Sequence, residues 1–149
     1  MTLEDLIETF QALPEWEDRY RALIEMGRSL PPFPEPLLTE ANKVRGCMSQ
    51  VWMAVKTSDP FDFWVESDSS LVKGLAAVLH MVYAGKPRSA IPSVDVQDVF
   101  KRLDLENHIS PNRRNGFFSM VERIKSLPDV SHFVGGGSET RPYDKDRTS

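Results

Sequence analysis

Apolar positions define the elements of this chain. Leu3, Leu6, Ile7 and Phe10 fall at helical spacing and draw one face of a short helix over residues 2–11. Thr2 can cap it, and Glu4 and Asp5 sit in its first turn, where the helix dipole favours anions. Pro14 suits the first turn of a second helix, with Trp16, Tyr20, Leu23 and Ile24 facing inward and Gly27 or Ser29 as its end. Pro31, Pro32, Pro34 and Pro36 remove backbone donors, so residues 31–36 form a connector. The period then changes to two. Lys43-Val44-Arg45 reads as a short extended piece, and Gly46 to Ser49 as a turn. Val51, Met53 and Val55 alternate with Trp52, Ala54 and Lys56. After a turn at Ser58-Asp59-Pro60, Phe61, Phe63 and Val65 alternate with Asp62, Trp64 and Glu66. The pattern predicts a three-stranded antiparallel meander with helices on one side, because a sheet this small is not stable alone. Trp52 and Trp64 are assigned to its core.

Ser67-Asp68 then reads as the cap of a helix from about Ser69 to Ala84, with Leu71, Leu75, Val78, Leu79 and Val82 inward and Gly85 and Pro87 as stop signals. Gly74 inside it costs about 1 kcal/mol relative to alanine, which points to close packing against a strand. A further helix starts near Ser93 or Asp95 and runs to Leu103. Ser110-Pro111 opens the last one, with Phe117, Met120, Val121, Ile124 and Leu127 as its core face. The expectation is an α+β fold, one domain over residues 1–128, followed by a tail over 129–149. That tail has no periodicity, carries Gly135-Gly136-Gly137, and is expected to be disordered. A length of 149 residues suits a single core.

Charge narrows the function. With 18 basic and 22 acidic side chains the formal charge is −4, without the basic excess of a nucleic-acid binder. Lys101-Arg102 and Arg113-Arg114 are short and close to acids, and read as solvated faces. No apolar run approaches the roughly 20 residues that cross a bilayer, and the start, Met1-Thr2-Leu3-Glu4-Asp5, is acidic, unlike a secretory or transit leader. The expected location is the cytoplasm, away from membranes.

A single cysteine, Cys47, carries the candidate chemistry. Alone it closes no disulfide within the chain and builds no thiolate metal cage. It is either an inert packed residue or a reactive thiol. Its neighbours favour neither outright: Gly46 opens the backbone, Ser49 and Gln50 offer hydrogen bonds, and Arg45 brings a positive charge expected to lower the thiol pKa. A thiol hydrolase would need a base from His80, His108 or His132, and nothing in the spacing marks one. Persulfide transfer asks for less: a thiolate, in-line access and a loop that reaches a donor's pocket. Between transfers such a thiol needs protection from oxidation, with Met48, Val51 or helix side chains as expected cover.

Three segments resemble the SufE family. Val44-Arg45-Gly46-Cys47-Met48-Ser49-Gln50-Val51-Trp52 is similar to its Gly-Cys-x-Ser-Gln-Val-Trp motif. Ser67-Asp68-Ser69-Ser70-Leu71-Val72-Lys73-Gly74-Leu75 resembles its Asp-Ser-Asp-x-x-Ile-Val-Lys-Gly segment, with Glu66 in place of the first aspartate. His108-Ile109-Ser110-Pro111-Asn112-Arg113-Arg114-Asn115-Gly116 resembles its His-Leu-x-Pro-x-Arg-x-x-Gly segment. The resemblance spans roughly residues 3–127 and implies a SufE/IscU-like fold with Cys47 as persulfide acceptor. It implies a SufS- or CsdA-type cysteine desulfurase as partner, which carries the pyridoxal phosphate, while this chain has no cofactor of its own. It also implies a downstream sulfur acceptor such as an iron–sulfur scaffold. Arg45, Gly46, Met48, Ser49 and Gln50 would shape the loop or touch the partner. Arg113 would contact the partner, hold the loop, or make an ion pair at the last helix start; Lys73 is a helix charge or a partner contact. The alternative function is an adaptor that activates the desulfurase without taking sulfur. Monomer and homodimer both stay open.

Overall fold

The computed structural model describes residues 2–127; position 1 and positions 128–149, with the predicted tail and His132, lie outside it. Helix α1 spans Leu3–Ala12 and α2 spans Trp16–Arg28. A polar and proline-rich connector with short 3-10 turns at Glu35–Leu37 and Glu40–Asn42 leads to strands β1, Val51–Thr57, and β2, Asp62–Ser67. Helix α3, Ser70–Tyr83, a 3-10 stretch at Arg88–Ser93, helix α4, Val96–Arg102, and helix α5, Pro111–Ser126, complete the order. Local rules account for most helix starts. Thr2 and Asp5 form a reciprocal capping box, and Ser110 accepts from the Arg113 amide ahead of Pro111.

Among the described residues the sheet has two strands, not the predicted three. β1 and β2 pair antiparallel with Met53 opposite Val65 and Ala54 opposite Trp64. The expected third strand, Lys43-Val44-Arg45, contributes only an isolated bridge from Lys43 to Trp52 and a 2.8 Å bond from the Val44 amide to the Val51 carbonyl. Gly46, with φ of +88°, turns the chain away before a second rung can form. β2 also starts one residue late, because the Phe61 amide and carbonyl bond Lys86 and Gly85 beyond α3.

Val51, Met53, Phe63 and Val65 form the buried inner face, against which the helices pack. Trp52 and Trp64 are not in the core: they are half-buried on the outer face, with the Lys43 and Lys56 ammonium groups 5.7 and 5.8 Å from their ring centres. Lysine stems commonly cover aromatic surface this way.

The closest helix packing is α2 on α3. A Cβ on Gly74 would lie 2.3 Å from the Leu23 carbonyl oxygen, and one on Gly27 would lie 2.8 Å from the Gly74 nitrogen. Gly74 therefore allows close packing as expected, but against a helix. Gly27 is not a stop signal; it is the other half of this crossing, and Ser29 ends α2.

Candidate functional site

Residues 45–50 form a loop pinched at its base by the Val44–Val51 bond. Three further contacts fix its shape. Gly46 takes the left-handed conformation, and a Cβ there would lie 2.5 Å from Ser119 Oγ on α5. The Gln50 amide donates to Asp68 Oδ1 at 3.1 Å, and the Asp68 amide returns a 3.2 Å bond to the Gln50 carbonyl. Arg113 Nη1 donates to Ser49 Oγ and to Ser69 Oγ, both at 3.1 Å.

These contacts revise several sequence expectations. Asp68 does not cap α3. Ser69 does, accepting from the Val72 amide, because the Asp68 carboxylate is taken up by the loop. Arg113 is neither a solvated charge nor an ion-pair partner at the α5 start in this geometry; it ties the loop to the head of α3. Arg114 pairs with Glu106 at 3.5 Å, and Arg102 with Glu4 at 2.9 Å. Lys73 forms a half-buried pair with Glu66 at 3.0 Å.

Cys47 and Met48 line the same cavity but differ in exposure. Cys47 is half-buried against the edge of the core, its Sγ donating weakly to the Gly116 carbonyl of α5 at 3.6 Å. Met48 is 80% exposed and gives the thiol no cover. Cover comes from α5 at Gly116, where even an added Cβ would stand in ordinary contact with Sγ at 3.6 Å. A cavity of about 260 Å³ opens beside the thiol, with Val72, Ser110, Asn112 and Gly116 among its walls and Arg113 as its charged lining residue.

Burial pushes the Cys47 thiol pKa up. The lowering expected from Arg45 is overturned. Arg45 is exposed, and its charge falls on Arg123, whose pKa is lowered first by burial and then by Arg45. The resting sulfur is therefore a neutral thiol, poorly nucleophilic and slow to oxidise.

Neither His80 nor His108 lines the cavity. His80 Nε2 is 2.8 Å from Asp62 Oδ1, and His108 stacks on Trp16 with ring centres 4.0 Å apart while its carbonyl accepts from the Tyr20 hydroxyl. Both act as packing residues, so a cysteine–histidine hydrolase finds no support from either. Of the residues the sequence pattern did not single out, Val72 and Gly116 lie within the motif segments, where an apolar residue and a glycine face the thiol. Ser119 carried no signal, because its role depends on where α5 passes Gly46.

Residues 4–127 match the SufE family, described as an Fe–S metabolism associated domain. The chain is similar to an uncharacterized SufE-like protein of Rhizobium meliloti, 45% identical over 130 residues that cover 84% of this chain and 93% of the relative. A second uncharacterized SufE-like protein, from Rhizobium etli, is 43% identical over 134 residues, 87% of this chain and 90% of the relative. The fold resembles the solution structure of a hypothetical protein from Thermus thermophilus, with a TM-score of 0.67 at 22% identity over 85% of this chain and 94% of that one.

Proposed function

Because the chain belongs to the SufE family, whose work lies in iron–sulfur metabolism with a cysteine desulfurase, we propose that Cys47 accepts sulfur from the desulfurase as a persulfide and passes it on for cluster assembly. The observation that carries this reading is the position of Cys47, half-buried on a pinned loop with a cavity beside its sulfur.

The transfer is a thiol–disulfide exchange in form. Cys47 gives up its proton on docking, to the partner's site or to water. Its thiolate then attacks the outer sulfur of the donor's Cys–S–SH. A bond forms between Cys47 Sγ and that sulfur, the donor's S–S bond breaks, and the electron pair leaves with the donor thiolate. Sulfur moves with no net oxidation, so no external oxidant or reductant enters. The pyridoxal phosphate that releases sulfur from cysteine belongs to the partner, and this chain performs one half-reaction.

The resting geometry supports a protect-and-release cycle. Burial keeps the free thiol protonated. Reaction requires the loop to move away from Gly116. Once loaded, the extra sulfur has the adjoining cavity to occupy, where Arg113 and the Ser49 hydroxyl supply donors to a persulfide anion. The test is desulfurase turnover on cysteine with native chain and with Cys47→Ser. The acceptor reading expects native chain to raise turnover and Cys47→Ser to leave it at the enzyme's own rate. Retention of most of the stimulation by Cys47→Ser would instead establish an adaptor that takes no sulfur.

A further inference from the structure

Among the described residues, two large apolar side chains are exposed, Leu38 at 41% and Met48 at 80%. The more exposed of them directly follows the reacting cysteine. The loop that bears it is held on both sides, by Gly46 against Ser119 and by the bonds of Ser49 and Gln50 to Arg113 and Asp68. The held backbone presents this side chain at a set place, so docking has to order the methionine side chain but not the loop that bears it. Methionine suits the role, since its unbranched, polarizable chain fills irregular apolar recesses.

The surroundings give the partner's surface a sign. Residues 43–50 contain Lys43 and Arg45 and no acid, and the first turn of α5 contains Arg113 and Arg114 and no acid, although the whole chain carries −4. Glu40 and Glu106 offset Lys43 and Arg114. Arg45 and Arg113 remain against one exposed carboxylate, Asp68, bonded to the loop at Gln50, which leaves the loop region a positive excess, and Arg113 shares a cavity wall with Met48.

We infer that Met48 is the docking anchor of the acceptor loop, entering an apolar recess with an acidic rim beside the sulfur-bearing cysteine of the desulfurase. The inference rests on the sulfur-acceptor reading above and adds the surface by which the partner is recognised. Because Met48 adjoins Cys47 in the same loop, seating it on the partner pulls on the 3.6 Å contact between the thiol and Gly116.

The test separates binding from chemistry. A SufS-type desulfurase whose donor cysteine is replaced by serine is titrated calorimetrically with native chain, Met48→Ser and Met48→Leu. Burying a methionine side chain corresponds to roughly a ten- to hundredfold change in affinity, so Met48→Ser is expected to bind at least about tenfold more weakly, with Met48→Leu close to native because it conserves apolar volume. Binding of Met48→Ser within about twofold of native, too small for a lost anchor, would overturn the inference, as would Met48→Leu as weak as the serine variant. Sulfur gain on Cys47 is followed separately with unaltered desulfurase. Native chain that binds but gains no sulfur would sink the acceptor reading alone, and the affinity comparison would still decide the anchor. Native chain that fails to bind would overturn the anchor.

Discussion

Removing the Asp68 carboxylate should free Cys47 without unfolding the protein. Asp68 Oδ1 accepts the Gln50 amide at 3.1 Å, while the reverse backbone bond at 3.2 Å does not depend on the side chain. Asp68 is exposed, so the bond competes with water and contributes about 1 kcal/mol rather than the larger figure of a buried charged pair. Access to the half-buried thiol requires the loop to lift from Gly116, and lifting breaks this bond. Where the loop recloses faster than a reagent attacks, the labelling rate follows the open population. About 1 kcal/mol then corresponds to roughly fivefold. Asp68→Ala should therefore speed labelling of Cys47 by a bulky aromatic disulfide about fivefold, whereas Asp68→Asn, which keeps an acceptor oxygen, should change it less than about twofold. Both variants remove the same negative charge, so their difference isolates the hydrogen bond. The assay is the labelling rate at fixed pH, with the denatured chain as upper limit. Equal rates for Asp68→Ala and native, or equal rates for the two variants, would refute the loop-clamp argument.

Cys47 should also leave a signature in pH. Its folded-state pKa is raised by burial, so folding favours the protonated thiol. That contribution is fully present below the unfolded pKa of about 8.5 and is lost as pH rises through the folded value; urea unfolding of native chain should weaken relative to Cys47→Ala over that alkaline range, and parallel curves would contradict it. Gly74→Ala would drive a Cβ to 2.3 Å from the Leu23 carbonyl oxygen, a backbone atom that cannot rotate away. It should destabilise the fold by about 3 kcal/mol or more in denaturant titration, and a loss below about 1 kcal/mol, the range of ordinary substitutions, would show that α2 and α3 can separate cheaply. Gly46→Ala faces a φ of +88° and a 2.5 Å contact with Ser119 Oγ. The backbone part, about 1–2 kcal/mol, should persist in Gly46→Ala with Ser119→Gly while the contact part disappears, and full recovery in that double variant would contradict the backbone term.

Features governed by short-range rules were legible in the sequence. Thr2 and Ser110 cap the helices they were expected to cap, and the apolar spacing of Phe117, Met120, Val121 and Ile124 marks the buried side of α5. What the sequence left obscure depended on distant partners. Lys43-Val44-Arg45 is extended, but pairing along a strand needs a continuing neighbour, and Gly46 ends the approach after one bridge. Asp68 has the chemistry of a cap, yet the loop amide competes for it and Ser69 is free to serve instead. Gly27 and Gly74 each read as local exceptions; only the crossing of α2 and α3 joins them.

The site was legible in the same uneven way. The single cysteine after a glycine could be found by inspection, and the three motif segments gather at one place: the loop, the head of α3 and the first turns of α5 meet around Cys47. Its electrostatics were not legible. Arg45 is two residues away along the chain but faces solvent near Arg123, while Arg113, distant in sequence, reaches the loop. Adjacent residues in a loop can point apart, so sequence proximity is a poor guide to the field at a thiol.

The most direct test is intact mass after incubating the chain with a SufS-type desulfurase and cysteine, followed by removal of the enzyme. The account predicts that native chain gains the mass of one or more sulfur atoms, that a thiol reductant removes the gain, and that Cys47→Ser gains none. Native chain that stays at its starting mass while the desulfurase turns over, or a sulfur gain that persists in Cys47→Ser, would contradict it.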